Sequence, residues 1–275
     1  MLWVSERQAE GLLLSLSVKR TLFAGRSQYQ DILLVETHRY GKVLFLDGAV
    51  QLSEADEFFY HEALVHVPLF AHPAPRDVLI IGGGDGGAVR EVLKHPGIRS
   101  LTLVEIDPLV TRLAQEHLGA RFDHPVLRLL HADGIRHVAQ APSESLDVIL
   151  VDSTDPVGPA QGLFSEEFFG HCARCLRPQG FLAMQSGSPI LQLPLIKDVQ
   201  AALRRVFSGR AWLYLAPVPT YPGGLWSFSI ASMVLQPSQA LRDAPRGMAL
   251  RHWSPQVHQG SFALPRFLQD ALKSL

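Results

Sequence analysis

The stretch Val78-Leu79-Ile80-Ile81-Gly82-Gly83-Gly84-Asp85-Gly86-Gly87, followed by an apolar run that ends in Glu105-Ile106-Asp107, decides the fold. It reads as a buried strand entering a glycine turn and then a helix. Acids close the next strand at about the 20-residue spacing of a nucleotide-binding βαβ unit. The glycines, Gly82 and Gly84 among them, permit positive φ and let the backbone touch a ligand. Asp85 narrows the chemistry further. A carboxylate inside the loop repels a pyrophosphate, so an anionic dinucleotide fits poorly. A cationic or uncharged ligand fits better, and an adenosyl sulfonium is the obvious candidate.

Working outward, strands and helices alternate after Pro73-Ala74-Pro75. Strands are expected at Val78–Ile81, Leu101–Ile106, Val126–Leu130, Leu146–Val151 and Gly180–Met184. Helices are expected at Ala88–Lys94, Leu109–Leu118, Gly134–Ala139, Ser165–Cys175 and Leu193–Val206. Fully apolar strands in this alternation imply an α/β fold, a parallel sheet covered by helices on both faces. Ala211–Leu215 and Trp226–Met233 lack a long helix between them and suit an antiparallel hairpin at the sheet edge. Upstream, Leu12–Val18, Asp31–Glu36, Val43–Leu46 and Ala49–Leu52 read as short strands, with Asp47-Gly48 a hairpin turn and a short arm before Leu12. A helix from Phe58 to Leu69 follows, with Ser53 as its N-cap, and the tail ends in a helical Leu264–Leu275. The chain therefore divides into a β domain over residues 1–55 and a Rossmann-like domain over 56–275.

Composition sets the bounds. The 275 residues carry 47% hydrophobic and 19% charged side chains and a net charge of -1, which leaves no basic footprint for nucleic acid. No apolar run approaches the ~20 residues of a membrane span. The start, Met1-Leu2-Trp3-Val4-Ser5-Glu6-Arg7, lacks a basic segment followed by an apolar one, so neither a signal peptide nor a membrane association is expected, and the cytoplasm is the simplest compartment. Cys172 and Cys175 form a lone CxxC on an expected helix, which favours packing over zinc or redox chemistry. His61 and His66 are five apart, wrong for the i, i+4 zinc arrangement, so no metal is expected.

Ligands of open α/β sheets bind beyond the carboxyl ends of the strands. Here those ends carry Glu105 and Asp107, Asp133, and Asp152 with Asp155, besides Asp85 in the glycine turn. A helix N-cap accounts equally well for Asp107 or Asp133 taken singly. It does not account for acids at every strand end, and the set favours a cation site. Glu105 suits two ribose hydroxyls, Asp133 an exocyclic adenine amine, and Asp85 the positive tail of the nucleotide. Asp152 and Asp155 suit a second, cationic substrate. Tyr60 and Tyr221 could bracket its amine, although core packing is the bland reading of either.

With these residues in view, the chain resembles the spermidine synthase family of polyamine aminopropyltransferases. The resemblance runs through Tyr29-Gln30-Asp31, Leu46-Asp47-Gly48-Ala49-Val50-Gln51, Asp56-Glu57-Phe58-Phe59-Tyr60-His61-Glu62 and Leu79–Gly87. It continues through Asp152-Ser153-Thr154-Asp155-Pro156, Pro219-Thr220-Tyr221-Pro222-Gly223-Gly224 and Val257-His258-Gln259-Gly260-Ser261-Phe262. It implies a small N-terminal β domain on a methyltransferase-like Rossmann domain. It also implies transfer of an aminopropyl group from decarboxylated S-adenosylmethionine, a co-substrate and not a cofactor, to putrescine or a related amine. Carried over by position, Gln30, Gly82, Gly84, Asp85, Glu105 and Asp133 are nucleotide contacts; Gln51, His61, Asp155 and Trp226 are substrate contacts; Asp152, Tyr60 and Tyr221 are catalytic. Pro156–Leu163 resembles the family's site-closing loop, and a homodimer or homotetramer is expected. Met184-Gln185-Ser186-Gly187-Ser188-Pro189 lacks the acid that family members often carry there, which leaves the distal amine without an evident partner.

Three other readings compete. An S-adenosylmethionine-dependent methyltransferase would need room for the cofactor's carboxylate, which Asp85 opposes. An NAD dehydrogenase would need phosphate-compatible surroundings and a hydride-transfer residue. A non-enzymatic polyamine-binding protein would keep the acids but would not require Asp152 or the paired tyrosines.

Overall fold

The computed structural model describes residues 2–156 and 158–273. Five strands open the chain: β1 (Leu2–Ala9), β2 (Leu12–Arg26), β3 (Asp31–Thr37), β4 (Lys42–Leu46) and β5 (Ala49–Ser53). Each pairs antiparallel with the next. Asp47 and Gly48 both take positive φ, as a two-residue hairpin turn between β4 and β5 requires. The short arm expected before Leu12 is instead β1, paired from Leu2 opposite Val18 to Ala9 opposite Leu12. Its buried member is Glu6, so no apolar alternation marks it as a strand.

The second unit begins with α1 (Glu57–Ala71) and then alternates β6 (Asp77–Gly82), α2 (Gly87–Leu93), β7 (Ser100–Glu105), α3 (Pro108–Leu113) and β8 (Leu127–His131). It continues with α4 (Gly134–Gln140), β9 (Leu146–Asp152), α5 (Glu166–Cys175), β10 (Leu176–Gly187), α6 (Leu193–Val206), β11 (Ala211–Pro217) and β12 (Leu225–Ala231). Two short helices, α7 (Pro255–Ser261) and α8 (Arg266–Leu272), close the chain. The strand order is β11-β12-β10-β9-β6-β7-β8, parallel except for β12, which runs antiparallel to both of its neighbours. The expected hairpin thus exists, but with β12 inside the sheet and β11 at the edge. The order reverses between β6 and β9, the place where such sheets open a crevice.

Period-2 alternation sorts each central strand between two cores. Val78 and Ile80 join Leu64, Val67 and Phe70 of α1 on one face, while Leu79 and Ile81 meet Phe168, Val199 and Leu203 of α5 and α6 on the other. Cys172 and Cys175 are buried, free thiols in this second core, as packing residues should be. Ile32, Leu34 and Leu44 of the N-terminal sheet pack on Val110 and Leu113 of α3, which seats one unit on the other.

Three local details differ from the sequence reading. Asp56, not Ser53, sits at the N-cap of α1, because the Ser53 hydroxyl donates to Asp56 Oδ1 at 2.6 Å and is not free to cap. The helix expected at Leu109–Leu118 is α3 followed by a wider π turn over Ala114–Leu118. The tail helix starts at Arg266, with Ser274 and Leu275 outside the described residues. No described helix is long and apolar enough to cross a membrane.

One carboxylate ties the tail to α1 at residues 251–253. Glu62 is buried, and its two oxygens accept from the backbone N–H groups of Arg251, His252 and Trp253 at 2.7–2.8 Å. Glu62→Gln keeps the shape but turns an N–H donor toward these amides, so a loss of about 2–4 kcal/mol is expected by urea denaturation. A loss under about 0.5 kcal/mol would mean that the three bonds do not hold the tail.

Candidate active site

A cavity of about 350 Å³ opens at the carboxyl ends of β6, β7, β8 and β9, under the N-terminal sheet. Its wall includes Glu6, Asp47, Asp85, Glu105, Asp133, Asp152 and Asp155, and no Lys or Arg among the described residues. Gln30, Gln51, Tyr60, His61, Tyr221, Trp226, Gly82 and Gly84, to which the sequence also gave site roles, line the same space.

The glycine turn positions two of the acids. Gly82, at φ 77°, lies opposite Asp152 in the β6–β9 ladder, and Gly83 N donates to Asp152 O at 2.8 Å. A Cβ on Gly82 would stand 2.1 Å from that carbonyl oxygen, so the close approach excludes every other residue. Gly84 N donates to Glu105 Oε2 at 3.0 Å, and a Cβ there would press on the same carboxylate. Glu105 Oε1 accepts from Asp107 N at 2.8 Å. Burial, with Asp107 and Asp85 nearby, still pushes the Glu105 carboxyl up to about 7.

Asp152 is the focus. Tyr60 Oη donates to its Oδ1 at 2.8 Å, whereas its Oδ2 is buried with no hydrogen-bond partner. Burial and the adjacent charge of Asp85 raise its carboxyl to about 6. An oxygen of Asp152, an oxygen of Asp85 and a ring nitrogen of His61 all lie within 4.8 Å of one another. Burial beside Asp152 holds the Tyr60 phenol well above its usual range, so it stays a donor. Tyr221 behaves likewise and donates to Gln51 O at 2.5 Å. The two tyrosine rings stand 5.6 Å apart, and Trp226 meets Tyr221 edge-on at 4.8 Å, forming an aromatic wall beside the acids.

The two N-cap readings resolve differently. Asp107 caps α3 through Leu109 N, receives Gln30 Nε2 at 2.9 Å and stays behind the cavity wall. Asp133 caps α4 through Ile135 N and Arg136 N and also faces the cavity. Asp155 is held by Gln192 Nε2 at 2.7 Å. In the segment Pro156–Leu163, Ala160 and Leu163 reach the wall, while Val157 lies outside the described residues.

Comparison with known proteins now adds to this geometry. The family model described as "Spermine/spermidine synthase domain" matches residues 57–239, and "Spermidine synthase tetramerisation domain" matches residues 2–54. The polyamine aminopropyltransferase of Moorella thermoacetica is 46% identical over 99% of this chain and 97% of its own length. The chain belongs to the spermidine synthase family of polyamine aminopropyltransferases. A spermidine synthase crystallised with the transition state analogue AdoDATO superimposes with a TM-score of 0.94 at 36% identity, covering 100% of this chain and 96% of that one. The Thermotoga maritima spermidine synthase gives 0.92 at 35% identity, covering 100% and 95%.

Glu6, Tyr29, Asp47 and Gln185 are among the residues that line this aminopropyltransferase's cavity without having been given a site role from the sequence. Glu6 reaches in from β1, its Oε1 accepting from Val50 N and its Oε2 from Gln8 Nε2, both at 3.2 Å. Burial raises its carboxyl, and the charge of Asp155 adds to that. An acid therefore does stand near Asp155, supplied by the first strand and not by residues 184–189. Only the register of β1 on β2 and the curl of that sheet bring it there, and neither is written in a local motif.

The turn can be tested directly. Gly82→Ala forces a Cβ against Asp152 O in a left-handed conformation, and the enzyme should lose more than about 2 kcal/mol of stability. Chemical denaturation showing under about 0.5 kcal/mol would mean that the turn relaxes freely.

Proposed function

We propose that the enzyme transfers the aminopropyl group of decarboxylated S-adenosylmethionine to putrescine or a closely related diamine, giving spermidine and methylthioadenosine. The observation that carries this reading is the buried carboxylate of Asp152 in the wall of an acid-lined cavity, one oxygen bonded to Tyr60 and the other unpartnered, beside Asp85 and two phenols. A buried carboxylate oxygen with no donor is the natural seat of an amine N–H.

In this reading Glu105 takes the ribose hydroxyls, Asp133 and Gln30 lie toward the rest of the nucleoside, and Asp85 pairs with the ammonium that ends the decarboxylated tail. Intact S-adenosylmethionine would bring a carboxylate there instead. Like charges at ~4 Å cost about 4 kcal/mol at an effective dielectric of 20, roughly a thousandfold in affinity. The acceptor amine lies between Asp152, Tyr60 and Tyr221, and its distal ammonium extends toward Asp155, Gln185 and Glu6.

The reaction is an in-line displacement. The nitrogen lone pair forms a bond to the carbon next to sulfur, the carbon–sulfur bond breaks, and its electron pair neutralises the sulfonium. The new secondary ammonium passes a proton to Asp152. A carboxylate beside an ammonium stabilises the charged amine, so the nitrogen attacks from the fraction that has already released its ammonium proton to solvent, and Asp152 takes the second proton, the one that bond formation makes acidic. Orientation in a near-attack geometry supplies much of the rate. We also infer self-association through the N-terminal sheet, where Leu2, Trp3 and Leu13 of β1 and β2 are exposed.

Asp152→Asn should leave nucleotide affinity, by calorimetry, within about threefold and lower kcat by about 100-fold or more. Near-normal turnover in that variant would exclude the assigned role. Asp152 must be ionised to accept a proton, so kcat/KM should fall as the pH drops through about 6. Glu6→Gln should raise KM for the diamine with little change in nucleotide binding. A panel of diamines with the decarboxylated co-substrate, read by mass spectrometry, identifies the acceptor; no aminopropylated product from any of them would refute the proposal.

A further inference from the structure

A chain of charged groups leaves the cavity through α1 and reaches solvent at α2. Asp85 Oδ1 lies 3.3 Å from His61 Nε2 and also accepts from Gly87 N at 2.7 Å. His61 Nδ1 lies 2.6 Å from Glu57 Oε2, one helical turn earlier on α1. Arg90 Nη2 donates to the same Glu57 oxygen at 2.7 Å, and Arg90 Nε is fixed by Glu91 Oε1 at 2.9 Å. Both ring nitrogens of His61 therefore face carboxylates and both must carry protons, which makes the ring a cation with no lone pair to offer a metal. The His61 ring is 3% exposed, whereas Arg90 is 49% exposed. The packing leaves the ring one position: a Cβ on Gly87 would meet it at 2.2 Å.

We propose that Glu57 and Arg90 are positioning residues for aminopropyl transfer: Arg90 clamps Glu57, and Glu57 orients His61 as the permanent counter-cation of Asp85. Neither Glu57 nor Arg90 lines the cavity. The inference rests on the proposed aminopropyl transfer, since it concerns the charge state of the acids that hold the two amines.

The groups around His61 define what its charge does. Glu57 faces it from α1, Asp85 from the glycine turn and Asp152 from the end of β9; Tyr60 stands edge-on at 5.3 Å, and Arg90 approaches from α2 behind Glu57. Asp85 is in turn near Glu105 and Tyr221, whose own ionisation it opposes. Burial opposes the imidazolium, and the two carboxylates overcome it and hold the ring charged well above the usual histidine range. Its charge keeps the Asp85 carboxyl below the usual range and counters the rise at Asp152. With one carboxylate removed, burial regains ground and the ring loses its proton earlier. Asp85 and Asp152 then repel one another without a cation between them.

Glu57→Gln preserves a hydrogen-bond acceptor for Nδ1 and removes only the charge. In the full-length enzyme, NMR titration of the His61 imidazole should move down by at least one pH unit. Between the two values the variant's ring is neutral where the parent's is charged, so kcat/KM should fall away at lower pH on the alkaline side than in the parent, with turnover near pH 6.5, where both rings carry their proton, within about threefold of the parent. Arg90→Met, a change at a half-exposed side chain, should shift both in the same directions by less, and Arg90→Lys should restore most of the shift. A uniform loss of activity at all pH values, or an unmoved His61 titration in Glu57→Gln, would overturn the proposal. The imidazole titration needs no substrate, so it stands even if the aminopropyl reading fails.

Discussion

Gly82 and Asp152 face each other at the ends of β6 and β9, and the bond from Gly83 N to Asp152 O holds the two strand ends together. This contact fixes the switch point of the sheet. It brings the glycine turn, with Asp85 at its tip, against the carboxylate of Asp152. The approach is closer than any side chain permits, which makes the backbone itself the scaffold of the site. The acids of the neighbouring strands then face a common space because parallel strands end on one rim.

Gathering carboxylates in a buried cavity is electrostatically unfavourable, and the molecule answers in two ways. Some of the acids are bonded to protein groups: Glu105 to two backbone amides, Asp155 to Gln192, Glu6 to Val50 N and Gln8. Asp85 and Asp152 instead share the neighbourhood of a single cation, His61. Asp152 still keeps one buried oxygen without a hydrogen-bond partner, which is the costly state for such a group.

Much of this was legible because short-range rules govern it. The alternation of apolar strands, the glycine turn and the acids closing each strand placed Asp85, Glu105, Asp133 and Asp152 in advance, and each lines the cavity. The aromatic pair Tyr60 and Tyr221, far apart in sequence, was read as able to bracket an amine with core packing as the bland alternative, and only the family resemblance implied a catalytic role for both. Long-range facts were not legible. Nothing local says that β12 enters between β10 and β11, since an antiparallel hairpin can dock by either strand. Glu6 was missed because a polar strand with a buried acid has no hydrophobic period to detect. Ser53 looked like a cap, yet Asp56 competed for its hydroxyl. The Glu57–His61 ion pair, at i, i+4 on α1, was not read from the sequence, and its further partners Arg90 and Asp85 lie on another helix and on the glycine turn.

The two ends of the cavity have separate origins. Asp85, Glu105 and Asp133 stand at the carboxyl ends of β6, β7 and β8, whereas Glu6 and Gln51 come from the N-terminal sheet and Tyr221 from the loop between β11 and β12. Gln8 Nε2 donates to Thr220 O and ties that sheet to the loop, while Thr220 N donates to Asp56 at the start of α1. If the enzyme transfers aminopropyl groups as proposed, acceptor length can drift by exchanging residues of one outer strand while the sulfonium half stays constant. A lineage could thereby acquire a new polyamine without rebuilding its chemistry.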